Sequence, residues 1–240
     1  CEDTLAMPVI MGRKPEFDKF PGAVDTYCVE AMMQDGKALQ AGTSHFLGQN
    51  FAKSANISFI NANNQPEFAY TSSWGVSTRL IGGVIMTHGD DEGMVVPPRI
   101  APYQVVIIPV VKKAEDEAAI MDYINTLAKE LKSQMPFGEK IRIKIDKRDR
   151  KSVDKFWEWT KKGAPVICEI GMRDVEGGNL MVKERLKLGT PEGKEIAGRE
   201  EFAQTIANRL ENIQKAMFNK AKTRMEANIR TDIKTPEAFR

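Results

Sequence analysis

A proline-rich segment divides this chain of 240 residues into two parts. Three prolines fall within residues 97–102, and each proline removes a backbone donor and disfavours helix in the residue before it. Because neither a regular helix nor a central strand continues through such a segment, we predict a domain boundary between residues 99 and 100. The hydrophobic pattern changes at this boundary, so we expect the two parts to fold differently.

The part before the boundary has the pattern of antiparallel strands. Residues 28–32 and 34–40 predict two strands joined by an Asp-Gly turn, which is a strong hairpin signal. A further strand is predicted over residues 67–72. Apolar residues then recur at helical spacing over residues 77–86, where the pair Gly82-Gly83 is expected to pack closely against a neighbouring backbone.

The part after the boundary alternates strands with helices. Such alternation over about 100 residues is typical of an α/β domain, here with a mixed, largely parallel sheet. The predicted strands cover residues 104–111, 141–145, 165–170 and 180–183. The predicted helices cover residues 114–132, 152–161 and 199–228.

Charge and cysteine content limit the possible classes of protein. A formal net charge of +2 gives no general attraction to polyanions, so nucleic-acid binding would need a local basic surface. Cys1, Cys28 and Cys168 are odd in number and form no C-x-x-C pair. This spacing argues against a disulfide framework and a structural zinc site, and favours a reducing cytoplasm.

The ends of the sequence and its apolar runs are also informative. No stretch approaches the roughly 18 apolar residues of a membrane span, and the first residues lack the features of a signal peptide. The chain does not begin with methionine. We therefore expect no membrane partner, and we expect that these residues continue a longer polypeptide.

Two polar patches could carry chemistry. In the first, Gln40, Thr43 and His45 lie directly after a strand, although such residues are more often turn formers and structural groups than ligands. In the second, residues 71–79 place small polar groups at a strand-to-helix junction. Arg79 would lie in the first helical turn, where the helix dipole disfavours a cation, so its position suggests an anionic partner such as a phosphate. A solvated surface arginine is the alternative.

A basic segment is the third candidate. Residues 140–162 contain ten Lys or Arg against four Asp or Glu, together with Phe156, Trp157 and Trp159. Basic groups beside aromatic rings can hold phosphates and stack single-stranded bases. The alternative is that Phe156 and one tryptophan belong to the buried face of a helix.

Two sequence segments carry a family resemblance. Residues 39–53, LQAGTSHFLGQNFAK, closely resemble the segment of prolyl-tRNA synthetases that lines the prolyl-adenylate site. Residues 73–82, SWGVSTRLIG, with HGDDEG at 88–93 and VPPR at 96–99, resemble motif 3 of the same family. Similarity continues through QVVIIP at 104–109 and EIGMRD at 169–174, so the chain is similar to archaeal/eukaryotic-type prolyl-tRNA synthetases over nearly its whole length.

The resemblance implies a fold and a domain order. It implies an α+β part of a class II catalytic domain, with an antiparallel sheet, over residues 1–99. An α/β anticodon-binding domain with a mixed sheet would follow over residues 100–200, and a long helix with the start of a C-terminal extension over residues 201–240. The fold class expected for the whole chain is therefore α/β.

The resemblance also implies the residues of the active site. Gln40 and Thr43 would hold the adenylate, and Arg79 would face the adenine and polyphosphate of ATP. The proline pocket would contain one ring that packs on the substrate, one histidine and the backbone of a strand. Its residues are Phe20, His45, Ser73, Trp74 and Gly75.

A separate group of residues is implied for the anticodon. Glu169, Arg173 and Asp174 match the family residues that recognise the anticodon guanines, a role that their hydrogen-bonding groups suit. The position two before Glu169 is often arginine in relatives and is Ile167 here. We expect Lys183 or Arg185 to compensate.

The activity implied by the resemblance is the ATP-dependent activation of L-proline to prolyl-adenylate and its transfer to the 3′ end of tRNA(Pro), with Mg²⁺. A homodimer is implied for the full-length protein. Motifs 1 and 2 are not found in these residues, so this chain alone is expected to be inactive, and no zinc or other metal site is expected in it. The alternative is a non-catalytic synthetase-like paralogue or fragment that binds tRNA, and a pocket with only a structural role fits less well.

Overall fold

The computed structural model describes residues 1–239, which form two compact units. The first unit contains Cys1, Met7–Thr87 and the residues from Met225 onward. The second contains Glu2–Ala6 and His88–Arg224. The boundary predicted at residues 99 and 100 and the three-part division remain predictions, and position 240 lies outside the described residues.

The first unit is built on an antiparallel sheet. Its helices are α2 (Asn50–Ser54), α3 (Arg79–His88, whose last residue falls in the second unit) and α8 (Pro236–Phe239). Its strands are β1 (Val9–Arg13), β2 (Asp25–Met32), β3 (Ala38–Gly48), β4 (Ser58–Ile60), β5 (Pro66–Phe68) and β6 (Thr71–Gly75). The main sheet has the order β1-β2-β3-β6, and β4 and β5 form a separate hairpin.

The predicted hairpin is confirmed as β2 and β3. The turn is closed by a hydrogen bond from the Met33 amide to the Lys37 carbonyl at 2.9 Å, and Gly36 in the turn has a φ of 79°. A positive φ of this kind is the reason for glycine at this position.

Two other predictions for this unit are wrong in part. The single strand predicted over residues 67–72 is split between β5 and β6, because β5 pairs with β4 in the hairpin whereas β6 pairs with β3 in the main sheet. Gly83 of α3 is closely packed, but against side chains: an added Cβ would lie 3.0 Å from Leu39 and 3.3 Å from Met7. Gly82 has nothing within 4 Å of an added Cβ.

The second unit has a mixed sheet with helices on both faces. Its strands are β7 (Val105–Val110), β8 (Ile143–Ile145), β9 (Val166–Gly171), β10 (Asn179–Glu184) and β11 (Lys194–Gly198), in the order β11-β10-β9-β7-β8. Its helices are α1 (Glu2–Leu5), α4 (Glu117–Leu131), α5 (Ser152–Lys161), α6 (Met172–Gly177) and α7 (Arg199–Asn228, which ends in the first unit).

The sheet of the second unit is less parallel than predicted. β7 pairs in parallel with β8 and β9, whereas β9–β10 and β10–β11 are antiparallel. Only the short α6 connects β9 to β10, and a parallel crossover needs about a dozen residues or more. The prediction of a mixed sheet is confirmed, while a largely parallel one is wrong, and β11 was not predicted.

The apolar sides of helices cover both faces of this sheet. The predicted apolar stripe of α4, which consists of Ile120, Ile124, Leu127 and Leu131, is fully buried against one face. Phe156 and Trp159 of α5 pack against the other. Burial on both faces explains the continuous apolar run of β7. Within residues 1–239, no helix is both long and apolar enough to cross a membrane.

Candidate functional site

One face of the first sheet gathers the polar residues of β3. His45 lies opposite Thr26 on β2 and opposite Ser73 on β6. Thr43 lies opposite Gly75 on β6. Because residues that face each other across antiparallel strands project to the same side, these groups share one surface, called here the β3 polar face.

A β-bulge brings Gln40 to this same face. Gly42 pairs with Val29 and Gln40 pairs with Glu30, so Ala41 is the extra residue on β3. In a regular strand, Gln40 and Thr43 are three positions apart and would project to opposite sides. The bulge removes this conflict, and re-aiming a side chain next to an active site is a frequent role of bulges.

The ring of His45 is held from two sides. Thr26 is fully buried, and its Oγ1 lies 3.0 Å from Nδ1 of His45. The ring of Phe20 lies against the imidazole, with 5.0 Å between ring centroids and a tilt of 46°. Within residues 1–239, Nε2 of His45 has no hydrogen-bond partner, so this nitrogen is available to a ligand.

A tight turn positions Phe20. The Phe20 carbonyl accepts a hydrogen bond from the Ala23 amide at 2.9 Å, with Pro21 and Gly22 as the central residues and a φ of 87° at Gly22. Proline followed by a residue of positive φ is the signature of a type II turn. The Gly22 carbonyl also accepts a hydrogen bond from the Asn50 side chain at 2.9 Å, which ties the turn to α2.

Strand β6 contributes mainly its backbone to the β3 polar face. Trp74 lies opposite Ser44, so its side chain projects from the other side of the sheet, where it is 77% exposed. Gly75 leaves room for Thr43, since a Cβ at position 75 would lie 3.3 Å from the threonine Oγ1. The structure therefore brings Phe20, His45 and the backbone of residues 73–75 together, and it places the Trp74 ring elsewhere.

Arg79 begins α3 as predicted, next to the bulged part of β3. Its Nη1 donates to the Gln40 carbonyl at 3.5 Å, and its amide donates to Ser77 Oγ at 3.3 Å. The described part of the chain offers this exposed guanidinium no carboxylate. A cation at a helix N-terminus is unfavourable without an anion, so the junction of β6 and α3 is electrostatically suited to a phosphate.

The three residues predicted for the anticodon lie at the carboxyl end of β9. Glu169 accepts a hydrogen bond from Lys183 at 2.5 Å, and the lysine ammonium lies 4.0 Å from the centroid of the Phe156 ring. Asp174 accepts the Gly171 amide at 2.8 Å and so caps α6. Arg173 is exposed and has no partner within residues 1–239.

The two basic residues expected to compensate for Ile167 lie in different surroundings. Ile167 is buried, and Lys183 lies directly opposite it on β10. Arg185 is 1% exposed in its side chain and is committed to Asp90, with distances of 2.8 and 2.5 Å, and to the Thr160 carbonyl. The expectation for Arg185 is therefore wrong, because its guanidinium already stabilises the second unit from inside.

Much of the basic segment 140–162 serves the fold. Glu158 accepts hydrogen bonds from Arg148, Arg150 and Lys162 at 2.7 to 3.0 Å. The Arg148 hydrogen bond, followed by that of Lys162, lowers the pKa of Glu158 from 4.5 to about 2. Phe156 and Trp159 are buried and Trp157 is exposed, so the prediction of a buried helix face with one tryptophan is confirmed.

Sequence reasoning missed Thr26 and the bulge at Ala41. The hairpin turn at residues 35–36 could have indicated that Thr26 pairs near His45, but the extra residue in β3 changes the register by one. Among residues 1–239, no three His, Cys, Asp or Glu side chains converge as a metal site would need. The expected absence of a metal remains a prediction.

Comparisons with known proteins show which sequences this chain is similar to. Residues 104–209 match the family described as anticodon binding domain. The chain is 51% identical to a proline--tRNA ligase of Sphingopyxis alaskensis over 97% of its own length and 45% of that protein. It is 52% identical to a proline--tRNA ligase of Paramagnetospirillum magneticum over 94% of its length and 45% of that protein.

A solved structure gives the same result. The prolyl-tRNA synthetase of Cryptosporidium parvum, in complex with L-proline and AMP, matches 94% of this chain with a TM-score of 0.80 and 37% identity. The chain covers 47% of that structure, so it spans less than half of each of these relatives.

An antiparallel sheet with a polar strand, followed in the sequence by residues that match an anticodon binding domain, makes this chain similar to the class II aminoacyl-tRNA synthetases. Within this class, the chain is similar in sequence and in fold to the prolyl-tRNA synthetases.

Proposed function

We propose that this chain is part of a proline--tRNA ligase, which activates L-proline with ATP to prolyl-adenylate and transfers it to the 3′ end of tRNA(Pro). The observation that carries the proposal is the β3 polar face, where Gln40, Thr43 and His45 share one surface next to Arg79. The relatives that the chain matches are proline--tRNA ligases.

In the proposed pocket, Phe20 and His45 form the walls that receive the proline ring, and Ser73, Trp74 and Gly75 complete it through their backbone. The exposed face of Phe20 offers apolar surface to a pyrrolidine. Thr26 acts as a positioning residue, because it touches His45 and is itself fully buried. A small, largely apolar pocket with a few oriented polar groups suits a cyclic secondary amine.

The nucleotide is proposed to lie toward the bulge. Gln40 and Thr43 would hold the adenylate, and Arg79 would balance the negative charge that develops on pyrophosphate as the proline carboxylate attacks the α-phosphate. Positioning and charge stabilisation provide most of the rate in such phosphate chemistry.

Mg²⁺ is proposed to accompany ATP. The described residues form no cluster of metal ligands of their own, and Mg²⁺ is commonly bound through substrate phosphates with few protein ligands. When bound, it would neutralise phosphate charge.

The second unit is proposed to bind the anticodon of tRNA(Pro). Glu169, Arg173 and Asp174 would recognise its guanines, with Lys183 beside them. Arg173 is the most accessible of the three, whereas Asp174 has one oxygen engaged in capping α6.

We also keep three wider proposals. The catalytic part covers residues 1–99, the anticodon-binding domain 100–200 and the helical extension 201–240. The full-length protein is a homodimer. It acts in the cytoplasm, which the three free thiols support.

The test uses His45→Ala and the matched control Ser44→Ala in the polypeptide as it is expressed. Ser44 is the neighbour of His45 and projects to the opposite side of the sheet. Proline-dependent ATP–pyrophosphate exchange should be lost in His45→Ala and retained in Ser44→Ala. Normal exchange in His45→Ala would refute the assignment of the pocket.

The intact mass should be measured first, because it distinguishes a chain of 26.9 kDa from a longer polypeptide. If the longer polypeptide binds tRNA without any ATP–pyrophosphate exchange, the non-catalytic paralogue becomes the better description.

A further inference from the structure

A wide cationic cleft lies at the carboxyl edge of the mixed sheet. It has a volume of about 870 Å³ and is formed by the end of β7, the segments that follow β7 and β8, one side of α4 and the first turn of α5. Seven Lys or Arg residues and two acidic residues line it. The chain as a whole has a net charge of only +2, so this cleft concentrates positive charge far above the average.

Six of the seven lining cations divide into two groups, and the seventh, Lys155, is buried. In the first group, Arg148 is engaged by Asp146 and Glu158, Arg150 by Glu158, and Lys113 by Glu115. Lys112, Lys147 and Lys151, by contrast, are exposed and have no carboxylate partner within residues 1–239. The first group therefore shapes the cleft, and the second leaves its charge available.

Two further features also face the cleft. Lys155 is 5% exposed, and its ammonium donates to the Asp146 carbonyl at 3.2 Å, with no carboxylate partner in the part of the chain described. An ammonium has three donors, so a further acceptor is expected. The cleft also receives the N-terminus of α5, a helix of ten residues with no side-chain cap at Lys151. Its first amides favour an anion as well.

The cleft is next to the residues proposed to recognise the anticodon. β9, β7 and β8 are adjacent and parallel, so their carboxyl ends lie at one edge. Arg173 and Asp174 follow β9, Lys112 follows β7, and Lys147 follows β8. Three adjacent strands span about 10 Å, which one RNA loop can cover.

We propose that this cleft binds the phosphodiester backbone of an RNA loop whose bases lie at Glu169, Arg173 and Asp174. Lys112, Lys147 and Lys151 contact phosphates, and the proposal rests on the proposed function because it assumes tRNA as the partner. The division of roles is physical: phosphate contacts supply affinity and position without sequence information, and base contacts supply specificity.

The test compares three double variants of the chain with the wild type. Lys147→Ala/Lys151→Ala removes two proposed contacts, and Lys147→Arg/Lys151→Arg retains their charge. The control, Lys132→Ala/Lys140→Ala, removes two exposed lysines beside the opposite edge, one after α4 and one before β8. Binding is measured by fluorescence anisotropy over a salt series. The probes are a hairpin RNA with the proline anticodon guanines and a second hairpin with adenines in their place.

Loss of two phosphate contacts should reduce the slope of log K against log salt by about 1.4, since each contact to a single strand contributes about 0.7. The loss should be equal for both hairpins, and the arginine variant and the control should keep the wild-type slope. An unchanged slope in Lys147→Ala/Lys151→Ala overturns the inference, as does a loss confined to the guanine hairpin. A change in ATP affinity with intact RNA binding would assign the cleft to a nucleotide and also overturn it.

The proposed function fails in a different way. If the wild type binds neither hairpin at low salt, tRNA is not the partner, and both the proposed function and this inference fall. If the wild type binds the hairpins and Lys147→Ala/Lys151→Ala keeps the wild-type salt slope, the proposed function stands and the proposed phosphate contacts are refuted.

Discussion

Replacement of Thr26 by valine tests whether the β3 polar face is organised as described. Valine has nearly the same shape as threonine, so the buried site keeps its packing while the hydroxyl that lies 3.0 Å from His45 Nδ1 is lost. A single hydrogen bond of this type contributes about 0.5–1.5 kcal/mol net. If that contribution serves to orient the imidazole for proline, kcat/KM for proline should fall by about 2- to 13-fold.

The assay is ATP–pyrophosphate exchange with proline titrated at saturating ATP, in the polypeptide as it is expressed. Thr71→Val is the matched control, because Thr71 lies in the same sheet and makes only a 3.5 Å hydrogen bond to the Gly48 carbonyl. The decrease should appear mainly in KM for proline, with KM for ATP unchanged.

A double-mutant comparison makes the reasoning refutable. Because exchange is expected to be lost in His45→Ala, the two variants are combined in a urea-unfolding cycle, where Thr26→Val should cost less stability in the His45→Ala background than in the wild type, since the partner of the hydroxyl is already gone. An equal loss of stability in both backgrounds would show that the hydroxyl is not coupled to His45. No loss in the single variant would show that the hydroxyl does not orient His45.

Three further predictions concern stability, measured by urea unfolding. Gly22→Ala should destabilise the protein more than Gly36→Ala. Both glycines have a positive φ, but only at Gly22 would the new Cβ meet a ring, that of Phe51, at 2.9 Å. Equal losses of about 1 kcal/mol in the free energy of unfolding would contradict this prediction. Arg185→Met should cost about 1–3 kcal/mol, because the buried Thr160 carbonyl loses its donor and the half-exposed Asp90 loses its ion partner, and a loss below about 1 kcal/mol would refute it. The folded pKa of Glu158 is lowered from 4.5 to about 2, so its stabilisation is present above pH 4.5 and is lost as pH falls toward 2. Glu158→Gln should weaken this acid dependence, and an unchanged profile would refute the role of Glu158.

Local elements of the chain were predictable because their signals lie within a few residues. The helices at Ser152–Lys161 and Arg199–Asn228 have the predicted limits. The Asp-Gly turn identified the β2–β3 hairpin. Hydrophobic periodicity and turn preferences depend on residues that are close together in the sequence, so both can be recognised without a structure.

The residues that carry the family resemblance were also visible in the sequence. The segment around Gln40, Thr43 and His45 is continuous, so no fold was needed to recognise it. Its assignment as a pocket remains a proposal, and what the structure adds is the shared face on which these side chains lie.

Which charges are available depends on the three-dimensional arrangement of the chain. Arg185 is bound by Asp90, which is 95 positions away in the sequence, and no local pattern announces such a pair. Three cations of the basic segment are held by one carboxylate, Glu158, while Lys147 and Lys151 are left without one in the described residues. The composition gives the number of charged residues, but which of them form ion pairs depends on their distances in the folded chain.

The local elements, the polar segments and the family that they resemble could all be inferred from the sequence alone. The structure decided that a bulge places Gln40 beside Thr43, that buried Thr26 holds His45, and that β10 and β11 add an antiparallel side to the second sheet. The physical reason is that periodicity is a property of neighbours along the chain, whereas register, burial and charge pairing are properties of neighbours in space.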